Sequence, residues 1–151
     1  MQNFKKYDIN NKKALFIIFG GTNMWFWWFM LFSILLIPAV MIIGGILMWK
    51  RTPQKINSLF GYRTILSMKN SETWKFAHDY CGRLWWKIGA AIFIPSALGM
   101  ALVYGNTEDM IGTVGMIIML LQCFIIVLSI IPTEMALKRT FNKDGTRKVG
   151  E

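Results

Sequence analysis

Three long charge-poor stretches limit what this chain can fold into more than any other feature. The first runs from Ala14 to Trp49, the second from Leu84 to Tyr104 with Lys87 near its start, and the third from Met110 to Pro132. A helix needs about 17–25 apolar residues to cross a bilayer core, so each stretch is long enough. A lipid-exposed crossing must be helical, because an unpaired backbone amide is too costly in hydrocarbon. A soluble protein with buried helices is the competing reading, but core helices seldom stay uncharged for about 20 residues. A 54% hydrophobic composition and a mean hydropathy of +0.41, high for a soluble chain of 151 residues, agree with the membrane reading. The expected fold class is all-α: a helical integral membrane protein with three transmembrane helices, over about 25–49, 84–104 and 110–132, plus one cytoplasmic interfacial helix.

The net charge of +9 could point to nucleic acid, but its distribution argues otherwise. Between Lys50 and Arg83 lie seven basic residues against Glu72 and Asp79. The short turn Gly105–Asp109 carries only Glu108 and Asp109, and the tail after Pro132 is again basic. Lys and Arg concentrate on the cytoplasmic side of membrane proteins. Loop 50–83 and tail 133–151 are therefore expected in the cytoplasm with the acidic turn outside, and the bilayer, not nucleic acid, is the expected partner.

The N-terminal segment 1–23 is harder to place. Lys5, Lys6, Lys12 and Lys13 precede an apolar run, as in a signal peptide, but no small-residue cleavage site follows. A hairpin turning at Gly20–Asn23 would leave a first arm, Ala14–Phe19, too short to span. A single crossing from about Trp25 is expected instead, with Lys13–Phe19 in the outer interface and the N-terminus outside. Trp25, Trp27, Trp28 and Tyr104 would form an outer aromatic belt, and Trp49, Trp85 and Trp86 an inner one. Pro38 and Pro95 are expected to kink their helices.

Within the cytoplasmic loop, residues 54–66 show no helical or strand period and read as an ordered loop. Asn70 or Ser71 suits an N-cap, with Glu72 favoured in the first turn by the helix dipole. Trp74, Ala77, His78 and Cys81 then recur on one helical face, so Ser71–Cys81 reads as an amphipathic helix along the membrane surface. Gly82 would permit its bend into the second span. Pro132 would start a short tail helix ending near Asn142, and Asp144-Gly145 marks a turn. Cys81 and Cys123 fit no disulfide framework or metal spacing, and no nucleophile–base set or phosphate-binding loop is present. No metal, cofactor or enzymatic activity is expected.

The run Asn57-x-x-x-Gly61-Tyr62-Arg63-Thr64-x-x-Ser67-Met68-Lys69-Asn70-x-Glu72-x-Trp74-x-x-Ala77 resembles the signature of the SdpI family of bacterial membrane immunity proteins. The later Glu134-x-x-Leu137-Lys138-x-x-Phe141-x-x-x-Gly145-x-Arg147-Lys148 resembles that family's C-terminal signature. The resemblance spans about Leu36–Lys148, and the founding type has six spans where this chain has three. It implies a helical membrane protein that protects its producer from a secreted antimicrobial peptide toxin. In the founding system it also implies signal transduction, by sequestering a cytoplasmic transcriptional regulator at the membrane. A lipid-headgroup enzyme using Arg63, Glu72, His78 and Glu134 is a further alternative. The candidate binding residues are Asn57, Gly61, Tyr62, Arg63, Thr64, Ser67, Lys69, Asn70, Glu72, Trp74, His78 and Glu134. Arg63 suits bidentate binding of a carboxylate or phosphate, with Glu134 its expected partner. A purely structural tie between loop and helix ends is the competing reading.

Overall fold

The computed structural model describes residues 21–52, 55–57 and 61–148. They contain three long helices: α1 (Gly21–Lys50), α2 (Ser71–Ala101) and α3 (Glu108–Thr140). The lysine-rich segment up to residue 20, with its expected interfacial piece, lies outside the described residues. At 1.5 Å per residue the helices are about 45–50 Å long, against a hydrocarbon core of about 30 Å. All three are long and apolar enough to cross a membrane, which implies a multi-pass membrane protein.

The buried positions of α1 are Trp27, Met30, Ile34, Pro38, Met41, Gly45 and Met48. These steps of three and four make a seam of the coiled-coil kind, and Phe29, Phe32, Leu36, Val40 and Ile43 between them face outward. Between helices in lipid there is little hydrophobic drive, so close backbone contact matters more. At the α1–α2 crossing a Cβ on Gly82 would lie 2.6 Å from both Gly45 O and Trp49 N. A Cβ on Gly89 would lie 2.9 Å from Pro38 O.

That contact corrects one expectation. Among the described residues no separate interfacial helix is seen, because Ser71–Cys81 forms the first turns of α2, which continues unbroken through Gly82. Gly82 supplies close approach rather than a bend. The expected tail helix is likewise the last part of α3, with Pro132 inside it. Proline removes one helical hydrogen bond there, but Thr133 and Leu137, both fully buried, hold the helix to its neighbours.

Two apolar clusters close the bundle. At one end Trp27, Met30, Ile34, Met100, Val103 and Ile111 pack together. Trp27, expected in an interfacial belt, is instead buried: its indole N–H donates to Met100 O at 2.8 Å and its ring meets Tyr104 edge-on. Trp25 and Trp28 stay exposed. At the other end lie Met48, Tyr62, Ala77, Cys81, Leu137 and Phe141. Between them, Gln122 is buried and its amide donates to Ser96 Oγ at 2.7 Å. Its Oε1 meets no partner among the described residues.

Candidate functional site

The second cluster sits under a polar cap built from the loop after residue 60, the start of α2 and the chain after α3. The charges of α2 lie in its first turns, at Glu72, Lys75, Asp79 and Arg83, with Lys87 one turn further. That end of the helix therefore stands outside the apolar span.

The loop is shaped by its own side chains. Gly61 has φ +111°, a conformation that residues with a Cβ rarely adopt. It lies directly against His78, whose Nε2 accepts the Tyr62 N–H at 3.2 Å. Nε2 must therefore be unprotonated, so Nδ1 carries the hydrogen and donates to Trp74 O at 2.8 Å. Both ring nitrogens are occupied in the neutral imidazole. Burial pushes the His78 pKa below its usual value, and only partly does the Trp74 carbonyl oppose it. Trp74 packs on the ring, with centroids 4.0 Å apart. Ser67 closes the next turn, accepting from Thr64 N at 2.7 Å, while Thr64 Oγ1 accepts from Ser67 N at 3.2 Å. The Ser67 hydroxyl also reaches Tyr62 O at 3.1 Å.

Asn70 is the N-cap of α2, and its Oδ1 accepts from Glu72 N and Thr73 N. Thr73 returns the bond, accepting from Asn70 N at 3.2 Å. Such a capping box contributes about 1 kcal/mol. The same Asn70 amide donates to Gly145 O at 2.8 Å. Gly145 belongs to a hook formed by residues 141–148, in which Phe141 and Arg147 pair as an antiparallel bridge. Asp144 Oδ1 accepts from Thr146 N and Oγ1 within that turn, and these bonds hold its carboxyl below the usual range. Phe76 and Phe141 meet edge to face at 5.4 Å, and the exposed pair Glu72–Arg147 adds a weak contact at 3.5 Å.

Tyr62 makes the third link. Its hydroxyl lies 3.4 Å from both Glu134 Oε2 and Ile130 O on α3, a long bond shared between two acceptors. Burial, then the nearby Glu134 carboxylate, raises the Tyr62 pKa and keeps the phenol protonated. Glu134 also faces Lys138 at 3.9 Å.

Of the sequence candidates, Gly61, Tyr62, Thr64, Ser67, Asn70, Glu72, Trp74, His78 and Glu134 meet in this cap. Arg63 and Lys69 lie on its surface, with Arg63 on the rim of a small cavity lined by Tyr62, Cys81 and Trp85. Asn57 is half-buried and its amide donates to Lys55 O at 3.4 Å. Thr73, Cys81, Phe141 and Gly145 escaped the candidate set. Asn70-x-x-Thr73 was a readable capping signal, and Gly145 a readable turn, but their meeting was not. The two signature segments, far apart along the chain, are thus one interlocked structure.

The sequence is similar to known proteins. Residues 54–133 match the SdpI/YfhL protein family. A Bacillus subtilis (strain 168) protein named "Uncharacterized protein YfhL" is 32% identical over 115 residues, covering 74% of this chain and 92% of that protein. No solved structure matches the fold. With more than half of its length matched, residues of both the loop and the spans included, the chain belongs to the SdpI/YfhL family.

Proposed function

We propose that this protein is a non-enzymatic membrane immunity protein that protects the cell from a secreted antimicrobial peptide toxin. Family membership supports this, since the SdpI family implies that role. The observation that carries it is the cap: the family's loop signature is spent on locking loop, α2 and tail together, not on a convergent set of reactive groups. His78 has both nitrogens in structural hydrogen bonds, which leaves no free base there. The basic loop and tail support a cytoplasmic cap, with the 101–108 turn outside, because Lys and Arg concentrate on the cytoplasmic side. A toxin within the bilayer would then meet the outward apolar faces of the three helices. The residues that meet in the cap, such as Gly61, Tyr62, Asn70, His78 and Glu134, act by holding those faces in register.

The test is expression in a sensitive host challenged with peptides encoded beside the gene. Survival should rise several-fold, and it should be lost in Gly61→Ala. Unchanged killing by every such peptide would refute the proposal. A signalling adaptor is favoured only by the exposure of Arg63, and capture of a cytoplasmic regulator that is lost in Arg63→Ala would establish it.

A further inference from the structure

A groove of about 560 Å³ opens beside the cap, within the range of small-molecule sites. Its floor is apolar, formed by Leu66 and Phe141, with Ile65 on its rim 87% exposed. Lys69 enters from the loop, Lys138 from α3, and Lys143 and Lys148 from the hook. Four lysines from three chain segments thus converge on one hollow that, among the described residues, holds a single carboxylate, Glu134. That carboxylate is already shared between Tyr62 and Lys138. Lys148 is turned inward, its Nζ donating to Lys138 O at 2.9 Å. Among the described residues, Lys69 and Lys143 make no ion pair, although Lys69 lies near enough to Asp144 to help hold its carboxyl ionised.

The groove begins where the apolar run of α3 ends. Ile131, Met135 and Lys138 follow one another on the same face at helical spacing, and Ile131 and Met135 are about half exposed. A ligand in the groove would therefore have its charged part among lysines and its apolar part along a lipid-facing helix. We infer that this groove is a binding site for the phosphate headgroup of an anionic phospholipid. Charge complementarity selects anionic over zwitterionic lipid, and the continuous apolar face selects a lipid over a soluble phosphate. The inference needs only the membrane span, not the immunity role, so the two can fail separately.

The experiment is native mass spectrometry of the full chain in micelles, titrated with phosphatidylglycerol and phosphatidylcholine of equal chain length. Wild type should retain phosphatidylglycerol about 30-fold better, since Lys69 and Lys143 near such a headgroup contribute about 1 kcal/mol each and about 1.4 kcal/mol is tenfold. Lys69→Gln with Lys143→Gln should bring the ratio to about one. Lys69→Arg with Lys143→Arg should keep it, which separates loss of charge from loss of fold. Lys50→Gln with Arg51→Gln, basic but outside the groove, should also keep it. No preference in wild type, an unchanged ratio in the glutamine variant, or an equal fall in the Lys50/Arg51 control would each overturn the site. Glycerol 1-phosphate competing as well as the lipid would show a soluble ligand and overturn the lipid assignment.

Discussion

Gly61→Ala tests the cap at its tightest point. At φ +111° a residue with a Cβ carries about 1–3 kcal/mol of backbone strain. The added methyl would also collide with Nε2 of His78. Moving the imidazole aside forfeits the Tyr62 N–H bond and weakens the Trp74 one, each contributing about 0.5–1.5 kcal/mol. Loop docking should weaken by about 2–4 kcal/mol in all. Cys81 gives the readout, because it is 1% exposed beneath Tyr62 and becomes reachable when the loop lifts. Cys123, exposed on α3, is first replaced by Ser so that only Cys81 reacts. At 1.4 kcal/mol per tenfold, Cys81 alkylation should accelerate by about 30-fold or more. In a His78→Ala background the collision is gone and only backbone strain remains, so the two substitutions should couple by about 1 kcal/mol. An alkylation rate within about threefold of the unsubstituted protein would refute the reasoning, and strict additivity would show that His78 is not what Gly61 accommodates.

Asn70→Ala should loosen both the start of α2 and the hook, by about 1–2 kcal/mol, and speed proteolysis after Phe141. Asn70→Asp keeps the cap acceptor but not the donor to Gly145, so it should free the hook alone. At the helix crossing, Gly45→Ala places a methyl 2.6 Å from Trp86 N and should lower the thermal midpoint in detergent. Gly44→Ala meets nothing within 4 Å and should leave that midpoint unchanged. Gln122→Leu removes a buried oxygen that meets no partner among the described residues, but also the amide donor to Ser96 Oγ. In the same melt it should cost no more than that one bond, about 0.5–1.5 kcal/mol, whereas a loss above about 2 kcal/mol would show that Oε1 is satisfied in the native protein. Because the folded His78 pKa is lowered, the opened loop binds a proton first. The Tyr62–His78 contribution is thus complete above about pH 6.5 and lost as pH falls through the lowered value. Exchange of the Tyr62 amide, corrected for its intrinsic pH dependence, should rise on acidification, and a flat profile would contradict the neutral-imidazole clamp.

Three helices long and apolar enough to cross a membrane, the Asn70 cap and the Asp144-Gly145 turn were legible in the sequence because each depends on local chemistry. Hydrocarbon tolerates neither charges nor unpaired amides, so span number follows from charge-free length alone. A side-chain cap acts within three residues, and a left-handed turn within four. The continuity of α2 was not legible, since Gly82 reads equally as a hinge or as a contact point until Gly45 is seen against it. Trp27 looked like any interfacial tryptophan because its partner, Met100 O, lies on another helix. His78 was legible only as a member of one helical face, because the amide it accepts comes from the loop. The family signature told that two segments matter, while only the fold joined them, through Asn70 to Gly145 and Tyr62 to Glu134. The sequence by itself determined that this is a membrane protein with three stretches long and apolar enough to cross, and which family it belongs to. The tertiary structure decided which polar residues meet and which lysines share a groove. Apolar burial cannot select partners among helices already surrounded by lipid. Shape, close backbone approach and hydrogen bonds between distant residues make that choice.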